Sequence, residues 1–595
     1  MILSDLYDLY DLKQETDPNA MPPRHWCPMN VAYELVINAD GEVLSCIPLT
    51  NDSGKLGLRL VVPMAYVSRS GQKPAPGFLC DDAQHVFGIG ENKFRSTLRK
   101  MHEDLHKHVL QGVDDEGARA YLSMLEKYPT GALPEPCAEF LSSDPKSNMV
   151  FRLLGDSSYL QDRPGIRAAW NHYAESLEQQ QESGVCLVTG KIAPRAKLFP
   201  QVTGLPGAQS SGAALVSCNA DAFCSYGQKV STAGPISAEA AEKAGAALSY
   251  VLKDSRHYVK LGDDFVCFWT NAANPVIDDC LAFYADPDGI DENNSVIAAR
   301  GEDVSVRDAV QESLRLLAKG KPPITIPPDT QYYMLGIAPY QARLSVRFFE
   351  TGSLGSLQKN VQLFLNDTEM VGARYCSLRE YLAQTAAQGE GKNIPKSLIT
   401  SSMRALLHGT AFPETLLRDI VMRTRVDHAS RKSWDMGTRA AILRACLIRK
   451  DRLLGTEQGR EKERELTVAL NENNTNQGYL LGRLFALLEK VQADAIGSVN
   501  AGIRDRYMGA ASTTPARVFP QLLRLAQHHI SKSEYGARID RIVAQVMGSV
   551  NDQGFPRTLS YDDQGEFYIG YYQQKEALYQ KKDAPVSTTS DEKRN

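Results

Sequence analysis

The chain changes texture at Pro395. Before that residue, short β-patterned runs are broken by loops of glycine, proline, serine and asparagine; after it, apolar residues recur at helical spacing almost to the end. At 595 residues the chain is too long to close around one core, and two or three domains are expected. The sequence therefore predicts an α+β, multidomain protein. A mixed α/β N-terminal region with small sheets is expected over residues 1–394, with a subdivision near 320–330 where Lys321-Pro-Pro-Ile-Thr-Ile-Pro-Pro328 reads as an extended connector. An Arg-rich helical connector follows over 395–467, then a helical bundle over 468–582 and a disordered polar tail over 583–595.

Local patterns fill in these regions. Asn38-Ala-Asp40-Gly41 lies between two apolar runs, 33–37 and 42–47, and Asp-Gly supplies the positive φ of a tight hairpin. Residues 58–62 read as a further strand leading into the polar loop Ser68-Arg69-Ser70-Gly71-Gln72-Lys73. Residues 92–128 read as helices with solvated faces, Ser237 as the N-cap of a helix through Leu252, and Asn476 as the N-cap of a helix carrying Leu480, Leu484 and Leu488. In residues 342–349, alternation puts Arg343, Ser345 and Arg347 on one face and Leu344, Val346 and Phe348 on the packed one.

Composition narrows the function classes. With 43% apolar and 23% charged residues this is ordinary globular material, and a formal net charge of -5 does not advertise a nucleic-acid binder, so such binding would need local cationic patches. The acidic N-terminus is not expected to be a signal peptide, and no run approaches the ~18 apolar residues of a membrane helix. The eleven scattered cysteines contain no Cys-x-x-Cys pair; a cytoplasmic protein with reduced thiols, without metal or cofactor, is the expectation.

The richest segment is Gly204-Leu-Pro-Gly207-Ala-Gln209-Ser210-Ser211-Gly212, followed by Val216-Ser217-Cys218-Asn219 and Phe223-Cys224-Ser225-Tyr226-Gly227. Glycines let a ligand approach the main chain, and Ser, Asn and Gln offer neutral donors and acceptors for polar edges; a turn before a buried strand uses the same residues. These blocks resemble the large-subunit family of type I-C CRISPR surveillance complexes (Cascade). So do Met1-Ile-Leu-Ser-Asp-Leu-Tyr-Asp-Leu-Tyr10, Pro76-Gly-Phe78-Leu-Cys80-Asp81-Asp82, Ala342-Arg343-Leu-Ser345-Val-Arg347-Phe348, and Asn474-Thr475-Asn476 before Gly482-Arg483-Leu484, all in the family's order. The chain departs at Val230 and at Ala233-Gly234-Pro235, and contacts resting on those positions are not carried over.

The resemblance implies a binding and strand-opening component rather than an enzyme. It would recognise the protospacer-adjacent motif in target double-stranded DNA, promote R-loop formation by the guide RNA, sit among the backbone and small subunits, and recruit a separate helicase–nuclease. On this reading Arg69, Gln72, Lys73, Gln209, Ser210, Ser211, Ser217, Asn219, Ser225 and Tyr226 are the candidate DNA-binding residues. Arg343, Arg347, Arg423, Arg425, Arg431 and Arg439 are candidate contacts to nucleic-acid backbone, with Trp434 a possible stacking platform. The family also makes its C-terminal bundle as a separate small subunit, which here would need a start such as Val468.

Two rival readings stay open: a scaffold subunit without DNA readout, and a zinc hydrolase on His102-Glu103-Asp104-Leu105-His106, with Glu126 as third ligand. Against the second, Arg99, Lys100, Asp104 and Lys107 predict a charged, solvated helix face.

Overall fold

In a computed structural model, the chain divides into two compact units, Met1–Tyr250 and Val251–Asn595. The structure describes all residues except 65–74, 91–93, 210–211, 219, 226–232, 262, 290–293, 295, 297–304, 428–435, 498–501, 551–552 and 580–595. The expected C-terminal tail thus lies outside the described residues. The architecture is mixed α+β, with small sheets in the N-terminal half and a helical C-terminal region.

The first unit is built on a four-stranded sheet. Tyr33–Ile37 (β2) and Val43–Pro48 (β3) form the hairpin encoded by Asp40-Gly41, with Asn38 Oδ1 accepting the Asp40 and Glu42 amides at 3.1 and 2.8 Å. Asn148–Leu153 (β6) lies parallel to β2 on its other side, and Cys80–Asp82 (β5) pairs antiparallel with β6. The parallel pair requires a long crossover, and the helices Arg95–Leu110 and Glu116–Lys127 fall within it. Trp26–Val31 (β1) and Leu58–Pro63 (β4) make a separate antiparallel pair. Leu35, Ile37, Phe78, Phe87, Tyr121, Met124, Phe151 and Trp170 form the core between sheet and helices. The N-terminal helix Ile2–Thr16 is fastened to the helix Ala238–Lys253 through Lys243, which pairs with Asp11 at 2.8 Å and Glu239 at 2.9 Å and donates to the Tyr7 hydroxyl at 3.0 Å. Ser237 caps that second helix as expected, accepting the Ala240 amide at 3.2 Å.

The second unit opens with an antiparallel meander, Tyr258–Leu261, Asp264–Thr270, Gln331–Tyr340 and Arg343–Ser353, each strand beside its sequence neighbour. The proline-rich connector before Gln331 has no regular structure. The alternation expected of residues 342–349 is interrupted: a β-bulge sets Gly336 opposite Phe348 and Ile337 opposite Val346, leaving Arg347 as the extra residue. Leu344 and Phe348 are buried but Val346 is exposed, so Val346 is not on a packed face.

Helices make up the rest of this unit. Gln477–Ile496 is capped by Asn476, whose Oδ1 accepts the Tyr479 amide at 3.1 Å, and it packs along Tyr561–Tyr579. The approach is backbone to backbone, since a Cβ on Gly482 would collide with the Phe567 carbonyl and one on Gly570 with the Tyr479 carbonyl. The helix Met436–Leu454 covers another side of Tyr561–Tyr579, with Leu443 and Leu447 against Gly565. Between Gln564 and Gln574 every residue of that last helix is buried. A helix apolar or neutral all round belongs at the centre of a bundle.

Candidate nucleic-acid interface

The glycine-rich segment forms the loop of a two-residue hairpin. Gln201–Val202 pairs antiparallel with Ala213–Ala214. A turn closes over Leu205–Ala208, the Ala208 amide donating to the Leu205 carbonyl at 3.1 Å, and the Gly212 amide donates to the Gln209 carbonyl at 2.9 Å. Gly212 sits at φ 102°, and a Cβ there would lie 2.8 Å from the Val202 carbonyl oxygen, so only glycine closes this hairpin. Leu205 is tucked inside while Gln209 is exposed, which leaves the amide side chain and the loop backbone to solvent. Ser217 is half-buried and Ser225 is exposed beside Phe223, a 46% exposed aromatic on a short helical turn. Ser210, Ser211, Asn219 and Tyr226 lie outside the described residues, as do Arg69, Gln72, Lys73, Arg431 and Trp434.

The chain re-enters the described fold at Ala75 onto a dense buried network. Gly77 donates its amide to Asp81 Oδ2 at 2.6 Å, and the Leu79 amide donates to His106 Nε2 at 2.9 Å. The Phe78 ring stacks between His106 and Trp170, at centroid distances of 5.0 and 4.9 Å. His106 Nδ1 lies 2.6 Å from the His102 carbonyl, so it carries the proton, and His102 Nε2 contacts the Tyr121 hydroxyl at 2.8 Å. His102 Nδ1 stands 3.5 Å from Asp81 Oδ2.

This arrangement corrects the expectation of a solvated helix face. His102 and His106 are fully buried and Arg99 nearly so, its Nη2 donating to the Leu125 and Tyr128 carbonyls at the end of the neighbouring helix. Burial holds the His106 imidazole well below its usual pKa, so it is neutral. Both of its ring nitrogens are committed to the backbone, which leaves no lone pair for a metal. Glu103 points away into an ion pair with Lys107 at 2.6 Å, and Glu126 is exposed. The geometry of a zinc peptidase is therefore not present at these residues. The residue pattern concealed this because the polar flanks of the helix outnumber the narrow stripe of Leu98, His102, His106 and Val109 that is buried.

The arginine candidates divide. Arg347 Nε stands 3.5 Å from the buried Asp264 carboxylate, which ties it to its own sheet; Arg343 begins the same strand, half-buried. Arg423 and Arg439 share the Asp427 carboxylate, Arg439 at 2.8 Å and itself buried, while Arg425 is half-buried with a guanidinium contact to Met422 Sδ at 3.4 Å. Deeper in the same region, Arg449 is 1% exposed, donates to Asp367 Oδ2 at 2.7 Å and to two carbonyls, and lies 4.6 Å from the Phe412 ring centroid. Arg444 donates to the Leu466, Asn366 and Asp367 carbonyls, which serves the C-terminus of the helix Leu354–Thr368. Much of the arginine density seen in residues 418–452 is thus internal wiring of a helical core.

Exposed cations lie elsewhere. On the helix Pro515–Ile530, Arg517 and Arg524 stand seven residues apart on the face opposite Val518, Phe519, Leu522 and Ala526. Lys532 follows, and Arg538 and Arg541 are exposed on Gly536–Ser549. None of these five makes an ion pair with another described residue. The signal was in the sequence as a cationic i, i+7 pair on an amphipathic helix, but the denser arginine cluster upstream drew the assignment.

A family model described as CRISPR-associated protein (Cas_Csd1) matches residues 6–579. The chain therefore belongs to the Csd1 family of CRISPR-associated proteins, which supports its reading as a Cascade large subunit. No curated protein matches the chain. Among the described residues no helix is long and apolar enough to cross a membrane.

Proposed function

We propose that this chain is the large subunit of a type I-C Cascade, acting in the cytoplasm as a DNA-sensing component without catalytic chemistry of its own. It reads the protospacer-adjacent motif in target duplex, opens the adjoining base pairs and holds the separated strands while the guide RNA pairs, alongside backbone and small subunits. A helicase–nuclease recruited to the opened complex does the cutting. The observation that carries this reading is the family match across residues 6–579, within which the glycine-rich hairpin and the polar loop around Lys73 fall.

The mechanism is differential binding. Exposed amide and hydroxyl side chains such as Gln209 and Ser225, with loop backbone freed of side chains by glycine, suit base edges; lysine and arginine suit phosphates. Contacts made only with the correct motif and with distorted duplex offset the unstacking of the first steps, which costs a few kcal/mol each. Guide pairing then exchanges one duplex for another of similar stability. The exposed Arg517, Arg524, Lys532, Arg538 and Arg541 are better placed to meet phosphates than the internally paired arginines near Asp427.

The test is binding of the assembled guide-RNA complex, with and without this subunit, to duplexes matching the guide but differing in the flanking motif, at fixed salt. Motif-dependent affinity that appears only with the subunit, and that falls for Lys73→Ala and Asn219→Ala, supports the reading. Equal affinity and motif preference without the subunit establishes a scaffold instead.

A further inference from the structure

We propose that Cys46 and Cys137 form a redox-active thiol pair, a modification site that closes to a disulfide when the protein meets a small-molecule disulfide such as oxidised glutathione and reopens under thiol reductants. Both residues belong to the first compact unit, and both are free thiols.

The two cysteines are far apart along the chain and meet in the fold. Cys46 belongs to Val43–Pro48 (β3), the edge strand of the four-stranded sheet, and stands opposite Leu35 in the ladder, so its side chain shares the core-facing side with that fully buried leucine. Cys137 closes the short turn Glu135–Cys137, its amide donating to the Pro134 carbonyl at 3.0 Å, and is fully buried in the same core. Strand and turn approach with Cα atoms within 8 Å of one another, and the two thiols are hydrogen-bonded side chain to side chain. The folded backbone already holds the sulfurs in contact, which is the condition a disulfide sets.

The pair has the asymmetry that thiol–disulfide exchange uses. Cys46 is half-buried on a strand whose Leu44 and Ile47 are exposed, so a small disulfide can reach it, whereas Cys137 has no exposed surface. The hydrogen bond with the Cys137 thiol holds the Cys46 thiol below its usual pKa, and the same bond together with burial pushes Cys137 up. Thiolate character therefore falls on Cys46, the accessible nucleophile, and Cys137 stands beside it as the resolving thiol. Other cysteines lack this combination. Burial pushes the Cys280 thiol up to about 11 and the Cys446 thiol up to about 12. Cys186, despite its burial, is brought down to about 7 by hydrogen bonds from Ser237 and Thr189, but it is 1% exposed and those partners offer hydroxyls and amides rather than a thiol.

The exchange balances in two steps. Cys46 Sγ, as thiolate, attacks one sulfur of oxidised glutathione, forming a mixed disulfide and expelling one glutathione thiolate. Cys137 then gives up its proton to that thiolate and attacks Cys46 Sγ, expelling the second glutathione; the protein pair has lost two electrons and the glutathione disulfide has gained them. The new bond ties the edge strand to the turn and closes the chain around the helices Arg95–Leu110 and Glu116–Lys127, which lie between the two cysteines in sequence.

The test incubates the reduced, folded full-length chain with oxidised glutathione at neutral pH, blocks the remaining thiols with iodoacetamide and maps the peptides by mass spectrometry without reduction. We expect a Cys46–Cys137 cross-linked peptide, loss of alkylation at these two positions together, and recovery of both with dithiothreitol. In Cys137→Ser the reaction is expected to stop with glutathione on Cys46; in Cys46→Ser, oxidation of Cys137 is expected to be at least about tenfold slower than cross-linking in the parent. A parent chain that carries glutathione on Cys46 without forming the cross-link, that leaves both thiols free, or that forms the cross-link only in urea overturns the proposal. So does a Cys46→Ser chain in which Cys137 takes up glutathione as fast as the parent cross-links. Should either variant fail to fold, the parent alone decides: the cross-link preceded by glutathione on Cys46 at early times supports the pair, and glutathione appearing first on Cys137 overturns it.

Discussion

Charge buried inside the helical region behaves as structure. Asp367 is 2% exposed and receives Arg449 at 2.7 Å and Arg452 at 2.8 Å, so its removal strands a buried guanidinium. Asp367→Asn is expected to destabilise the protein by about 3–5 kcal/mol, measured by urea unfolding, with loss of assembly into the complex following from loss of fold. Glu566 works in the opposite sense. Burial, reinforced by Asp563, pushes its carboxyl up to about 8. The native state then holds a proton that the unfolded chain has given up between the ordinary carboxylate range and about pH 8, so this group costs stability as pH rises through that window. Glu566→Gln is therefore expected to melt higher than the parent, by an amount that grows from pH 5 to pH 8 and corresponds to about 1–3 kcal/mol at the upper end. A constant difference across that range would show that the carboxyl is not held protonated.

Elements were legible where a single local rule decides them. Asp40-Gly41 called its hairpin, Ser237 and Asn476 called their helix starts, and the connector before Gln331 followed from its prolines. Each of those signals acts within a few residues, through φ preference, a capping bond or a missing N–H. The bulge at Gly336 was not legible, because a two-residue period carries no mark of the partner strand's register. The Gln477–Ile496 helix shows a further limit: its leucines announce a core-facing stripe, but only the packed pair reveals that Gly482 meets the Phe567 carbonyl directly. Gly482→Ala is expected to cost about 3 kcal/mol or more, since backbone cannot yield as a side-chain tip does, and thermal melting checks it. On the exposed side of the bundle, the Arg517→Gln/Arg524→Gln pair should leave melting unchanged while lowering the slope of log affinity for target DNA against log salt by roughly 2. An unchanged slope would show that these two arginines do not contact phosphates.

For the whole molecule, the described C-terminal helices bear on separate synthesis of the bundle. A product starting near Val468 would keep the Gln477–Ile496 and Tyr561–Tyr579 pair but lose Leu443 and Leu447 from the face over Gly565. Because the stretch Gln564–Gln574 is buried on every side in the intact chain, the isolated 468–595 piece is expected to self-associate in sedimentation at micromolar concentration. A monomer that melts cooperatively would mean that the bundle is closed without the upstream helix.

What the sequence determined by itself was the order of textures, the α+β class, the local caps and turns, and a succession of family blocks from one end of the chain to the other. These are properties of neighbouring residues, fixed by backbone preference and hydrophobic period. What only the tertiary structure decided was which polar side chains were free for other work. His102 and His106 went to a buried hydrogen-bond network, Arg439, Arg444 and Arg449 to internal carboxylates and carbonyls, and Arg517 and Arg524 to solvent. The reason is physical: a histidine or arginine costs much to bury without partners and little with them, and the partners, Leu79 and Tyr121 or Asp367 and Leu466, stand far away along the chain and meet these side chains only once it has folded.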